Sequence, residues 1–185
     1  MRTPAPIVTT PIVTMPILTM MILTLLCLCG ASAAEAPQDS TAQLSDTEKS
    51  FVDAIAANDL AEMQMSKLIG QKSSSKSVRR LAQTILTEDT ANYEQLFKLC
   101  LRRHYAISAQ LDERQRSIVQ ELRDAHSHVL GRKYLDAILV DESGLDKLLA
   151  GVAQHELDND VEKFASDSAQ MIAHHAQQAR ELVSK

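Results

Sequence analysis

The sequence predicts an all-α protein, and three observations carry that reading. All five prolines lie at or before Pro37, so nothing later in the chain fixes φ or removes a backbone donor. Ala, Leu, Gln, Glu, Lys and Arg dominate after residue 45, a composition of strong helix formers. Aromatic residues make up only 3% of the chain and tryptophan is absent, which removes the side chains that most favour sheets.

The first element is a leader. Arg2 is a lone early positive charge, Ile17 to Leu28 is apolar, and Ala31-Ser32-Ala33 offers the small residues that a signal peptidase requires. Residues 1–33 therefore read as a signal peptide cleaved after Ala33 or Ala34, and the mature protein is expected to be periplasmic or secreted. The apolar run is too short to cross a bilayer and no stop-transfer charges follow it, so no stable membrane anchor is expected after cleavage. Leu26 precedes Cys27 and Leu28 precedes Cys29, which disfavours lipidation at either cysteine. Met15 is an alternative start that would forfeit Arg2.

Residues 34–44 are small and polar, a linker, and residues 45–185 form one helical domain. Ser45-Asp46-Thr47-Glu48 reads as a capping box opening a first helix that runs to about Gln71. Gly70 and Ser73-Ser74-Ser75 supply the stop and the next cap. A second helix then runs from about Lys76 to His104. A short helix is expected over Asp112 to Asp124 and a third long one over His128 to Glu156. A break at Leu157-Asp158-Asn159 precedes a fourth, over Asp160 to Val183. Two tight turns thus bracket one long connection. That pattern predicts a ferritin-like four-helix bundle whose crossover carries the short helix, with an up-down-up-down bundle as the alternative.

The formal charge of −5 argues against a nucleic-acid partner. Cys100 is the one cysteine beyond the leader, so the mature chain makes no internal disulfide and depends on packing. His104 stands one turn from Cys100, but the thiol reads as a small core residue rather than a nucleophile. His126 and His128 flank a loop and read as solvated, while His104 and His155 lie near helix ends. There is no Gly-rich phosphate loop, nucleophile elbow or zinc spacing of cysteines.

At 100° per residue, each long helix carries an ionisable side chain on its apolar face. Glu62 lies within the stripe Phe51, Ile55, Met65, Ile69. Asp89 lies within Val78, Leu81, Ile85, Leu96, Leu99, with Glu88 on its flank. Glu142 lies within Ile138, Leu145, Leu149, Val152, with Asp141 at its margin, and His175 is central to Val161, Phe164, Ile172, Ala179, Leu182. Glu142 and His175 are about equally far from the turn at Asp158 and should meet at one level, whereas Glu62 and Asp89 differ by roughly one turn from theirs.

Three carboxylates and one imidazole in an apolar interior carry excess negative charge, which a bound cation would compensate. Such carboxylate-rich donors suit iron or manganese. The competing reading is a hydrogen-bonded polar layer that sets helix register. None of the six histidines has a glutamate three residues before it, which counts against an oxidase-type di-iron site.

Several stretches resemble a known family. Phe51-Val52-Asp53-Ala54-Ile55-Ala56-Ala57-Asn58-Asp59-Leu60-Ala61-Glu62, Leu81-Ala82-Gln83 to Leu96, Tyr134-Leu135-Asp136-Ala137-Ile138 and His175 to Leu182 resemble secreted bacterial ferritin-like proteins. That family is known as a domain of unknown function, sometimes labelled as outer-membrane proteins. The resemblance covers about residues 48 to 184 and implies a ferritin-like bundle in the periplasm or outside the cell. Glu62 and His175 match the family pattern; Glu88-Asp89 stands where the family usually has Asp-His, and Glu142 where it usually has His. The reading favoured on these grounds is an exported, non-catalytic module, an envelope stress-response or interaction protein. A protein partner would dock on an apolar strip such as Val119 and Leu122 or Leu148. The alternative is a metal-binding protein using Glu62, Asp89, Glu142 and His175.

Overall fold

The capping box at Ser45 forms as read. The Ser45 hydroxyl accepts from the Glu48 amide at 3.3 Å and the Glu48 carboxylate accepts from the Ser45 amide at 2.7 Å, which starts α1 (Asp46–Lys72). The computed structural model describes residues 43–185, apart from residues 153 and 156, and gives Glu142 by its backbone alone. The expected signal peptide (1–33) and nearly all of the linker (34–44) lie outside the described residues. Ser75 caps α2 (Lys76–Arg102), and Asp112 forms a second capping box with Gln115 at α3 (Glu113–Asp124). α4 runs over Ser127–Val152, and Asp158 caps α5 (Asn159–Val183). The described residues contain helices and no strand, so the chain is all-α.

Two helices end earlier than their residues suggest. α2 stops at Arg102 rather than His104, because His104 turns into the left-handed region (φ 53°) and the Tyr105 amide closes back on the Cys100 carbonyl at 2.9 Å. α4 stops at Val152 rather than Glu156, with the His155 amide turned onto the Val152 carbonyl at 3.0 Å. Both stops bring chain ends to one junction. Arg103 pairs there with Asp158 and Asp160, and the Asp158 amide donates to Glu48 Oε1 at 2.8 Å.

That junction joins the start of α1, the end of α2 and the start of α5. At the far end a Cβ on Gly131 of α4 would lie 3.5 Å from both Ser73 and Val78, and Lys72 donates to the Arg123 carbonyl at 2.7 Å. α1 and α5 therefore run one way, α2 and α4 the other. α1 packs on α2 and α4, α5 packs on the same two, and α3 lies on α1 and α4. The segment after α2 is pinned near the start of α1, where Tyr105 Oη and the Ser108 amide donate to Asp53 at 2.7 and 2.8 Å.

The apolar core is divided. One cluster gathers Phe51, Val52, Ile55, Leu96, Leu99, Val161, Phe164 and Ile172 near the junction. Phe51 and Phe164 meet there edge to face at 6.4 Å. A second gathers Met65, Ile69, Val78, Leu81, Ile85, Leu122, Leu130, Tyr134 and Ile138 toward the other end. Along α1 the buried polar residues Asn58, Asp59 and Glu62 separate Ile55 from Met65, so the core is two apolar blocks with a polar layer between them. Val119 and Leu122, expected as an exposed strip, are instead buried: α3 turns its apolar face onto the second block. Leu148 is half-buried on the first block. Among the described residues, the large apolar side chains most exposed to solvent are Phe97, Leu101, Val129 and Val140.

Candidate functional site

At the centre of the polar layer three helices contribute one ionisable residue each. Glu62 comes from the middle of α1, Asp89 from α2 and His175 from α5, and each is buried to 2% exposure or less. One donor atom from each of the three lies within 4.8 Å of the others. His175 Nδ1 stands 3.8 Å from Glu62 Oε2 and 3.8 Å from Asp89 Oδ1, too far for a hydrogen bond to either. Glu62 Oε2, Asp89 Oδ2 and His175 Nδ1 have no hydrogen-bond partner among the described residues. Glu62 Oε1 is satisfied by the Asn58 amide at 3.1 Å.

Glu88 completes the arrangement from outside. Its carboxylate is half-exposed and lies 2.7 Å from His175 Nε2. A carboxylate accepts and does not donate, which assigns the ring proton to Nε2 and turns Nδ1 toward Glu62 and Asp89. This carboxylate–imidazole pairing is the arrangement that orients histidine ligands at metal centres.

The electrostatics record crowding of negative charge. Burial pushes the Asp89 carboxyl well above the usual carboxylate range, and the charges of Glu62, Asp59 and Glu88 push it further. Burial pulls His175 down, but the Glu62 and Glu88 carboxylates outweigh it and the imidazole titrates above its ordinary value. Asp59 is also raised, by burial first and by Glu62, against a hydrogen bond from Asn92.

Neighbouring polar groups behave differently, because they are paired. Asn92 donates to Asp59 at 2.9 Å and accepts from Ser168 at 3.0 Å, and Ser66 and Tyr134 share a hydrogen bond of 2.9 Å. Those pairs read as structural. Among the described residues, the buried carboxylate and imidazole atoms left without a partner belong to Glu62, Asp89, His175 and Asp141.

Asp141 sits on α4 at the bottom of a cleft of about 430 Å³ between α1, α3 and α4. Its Oδ1 accepts from Arg114 Nη2 at 2.8 Å, while Oδ2 has no partner among the described residues. Burial, and then the charge of Glu62, push its carboxyl up to about 6 despite Arg114.

Of the four residues that the helical faces single out, the structure brings together Glu62, Asp89 and His175. The side chain of Glu142 lies outside the described residues. Two residues of the site escape a reading at 100° per residue. Asp141, assigned to the margin of its face, is fully buried. Glu88, assigned to the flank, reaches His175 because a glutamate side chain is long enough to curl inward from the seam between two helices. Cys100 is buried, and burial followed by the Asp53 charge pushes its thiol up to about 11, which suits a core residue and not a nucleophile.

The fold and the site thus define a class: an all-helical protein whose core is interrupted by a carboxylate–imidazole cluster. The chain belongs to the family described as a domain of unknown function, DUF4142, whose model matches residues 33–182. Among solved structures it is similar to a DUF305 fragment from Deinococcus radiodurans, with a TM-score of 0.70 and 14% sequence identity. That match covers 77% of this chain and 98% of the fragment. At that identity the likeness concerns the fold alone. No curated protein matches the chain.

Proposed function

We propose that the protein is an exported, ferritin-like helical bundle that binds iron or manganese in its interior through Glu62, Asp89 and His175, with Glu142 as a further ligand. The observation that carries this reading is the convergence of Glu62, Asp89 and His175, one ligand atom from each lying within 4.8 Å of the others, with each side chain buried and keeping an atom without a hydrogen-bond partner among the described residues. Two carboxylates around one imidazole carry more negative charge than the ring can balance when both ionise in this buried site. A divalent cation bound among them balances that excess, and hard oxygen donors with one imidazole suit iron or manganese better than structural zinc. The ferritin-like architecture is supported by the two helical hairpins, by the common direction of α2 and α4, and by α3 in the connection between them. Export is supported by the peptidase site after residue 33, where the family match also begins.

The test is elemental analysis of untagged protein purified from the periplasm, comparing wild type with Glu142→Gln and His175→Ala. Stoichiometric iron or manganese in wild type that falls in both variants is the expected result. Sub-stoichiometric metal indifferent to both substitutions would leave the cluster a polar layer that fixes helix register.

A second role, in binding a protein partner, has one observation in its favour. Phe97 and Leu101 lie one turn apart on α2 and are 53% and 63% exposed, an apolar pair that a partner would cover. Periplasmic cross-linking followed by mass spectrometry tests it, and loss of the cross-link on Phe97→Ser is the expected result.

A further inference from the structure

The cleft between α1, α3 and α4 opens to solvent and has two buried polar residues, Asn58 and Asp141, in its lining. Asp53 and Asp112 lie toward its mouth, Arg114 lines it, and the buried Asn58 and Asp141 form its floor. Both floor residues adjoin the interior cluster. Asn58 donates directly to Glu62 Oε1 at 3.1 Å, and Asp141 is close enough to Glu62 to feel its charge. Asp141 is 2% exposed, and one of its two oxygens is without a partner among the described residues. Its other oxygen is held by Arg114, whose side chain is 47% exposed and is therefore able to swing into water.

On the side of Glu88 the His175 ring intervenes. Glu88 reaches solvent, and the ring stands between it and the other two carboxylates, with Nε2 on Glu88 and Nδ1 facing Glu62 and Asp89.

We infer that this cleft is the port through which a divalent cation reaches the Glu62–Asp89–His175 site, that Arg114 is its gate, and that Asp141 is the carboxylate on which the passing cation is held. The inference rests on the metal-binding reading above. Three carboxylates against one guanidinium make the cleft attractive to cations, and walls of low dielectric focus that field toward the floor. While Arg114 is docked, its charge neutralises Asp141 and its side chain fills the route. When Arg114 swings out, the cation takes its position as the counter-charge of Asp141, and the buried carboxylate is never left uncompensated. Glu62 lies next along the path, reached past the Asn58 amide.

Rapid mixing of the full exported chain with Mn²⁺ tests the port. Association is followed by competition with a fluorescent chelator, and release by a chase with excess chelator. Arg114→Met is expected to speed association about tenfold and to speed release as well. The second effect is diagnostic, since removing a nearby positive charge without opening a route would strengthen the site and slow release. Arg114→Met combined with Asp141→Asn keeps the buried pair neutral, and is expected to lose the gain in association because nothing then holds the passing ion. Lys98→Met, which removes an exposed positive charge on α2 away from the cleft, serves as the control and leaves both association and release unchanged. An unchanged association rate in Arg114→Met, or slower release from it, overturns the port while leaving the metal site standing. If wild type binds no Mn²⁺, the metal-binding reading fails and the port fails with it.

Discussion

Substituting Asp141 by Asn is expected to stabilise the metal-free protein at neutral and mildly alkaline pH and to do little in acid. The carboxyl is raised to about 6 from an ordinary value of 3.8, with burial the first cause, the Glu62 charge the second and Asp112 a further contribution, against the pull of Arg114. A raised folded-state value means that the native protein holds its proton more tightly than the unfolded chain does. The resulting stabilisation is fully present below about pH 4 and is lost as the pH rises through about 6. A shift of about 2 units corresponds to about 3 kcal/mol at 1.36 kcal/mol per unit. Asn stands in for the protonated acid at every pH and does not lose that increment. The difference in unfolding free energy between Asp141→Asn and wild type should therefore grow by about 3 kcal/mol between about pH 4 and pH 8. For a domain of this size that is roughly 6–12 °C in Tm. Urea denaturation of metal-free protein, followed by far-UV circular dichroism across that range, measures it. Parallel pH profiles for the two proteins would show that Asp141 ionises in the fold as it does in water, and the reasoning would be refuted.

Glu48→Ala should cost about 2–3 kcal/mol, because the carboxylate accepts from both the Ser45 and Asp158 amides and so ties the start of α1 to the start of α5; chemical denaturation reads it. Tyr134→Phe leaves the buried Ser66 hydroxyl without its partner and should cost about 1–2 kcal/mol by the same measurement, with Tyr134→Phe/Ser66→Ala recovering part of the loss. Phe51→Ala, at a position with no solvent exposure, should cost about 3–5 kcal/mol, since it opens a cavity against Phe164 in the first apolar block. N-terminal sequencing of the exported protein should begin at Ala34 or Glu35, and an intact leader in the membrane fraction would overturn the export reading.

Local chemistry made most of the helices legible. The Ser45–Glu48 box, the serines before α2 and the Asp158 cap act within one turn of chain, so their signals survive without any tertiary context. The apolar stripes of α1, α2 and α5 identified Glu62, Asp89 and His175 as inward-facing, because a helix turns by a constant angle and its buried face is a property of spacing alone. The early ends of α2 and α4 were not legible: α2 closes where His104 turns left-handed, and the chain beyond it enters a junction among Glu48, Arg103, Asp158 and Asp160, residues far apart in the sequence.

The residues by themselves determined that the chain is helical, where its helices begin, and which ionisable groups face inward. Only tertiary structure decided what those groups meet. Helical periodicity gives a direction from one axis, whereas a site depends on the offset, rotation and spacing of several axes at once. For that reason Asp141 moved from the margin to full burial when α3 brought Arg114 over it, and Val119 and Leu122 passed from an expected surface strip into the core. Glu88 acquired His175 in the same way: the 2.7 Å contact spans 87 residues of sequence and exists because α2 and α5 pack side by side.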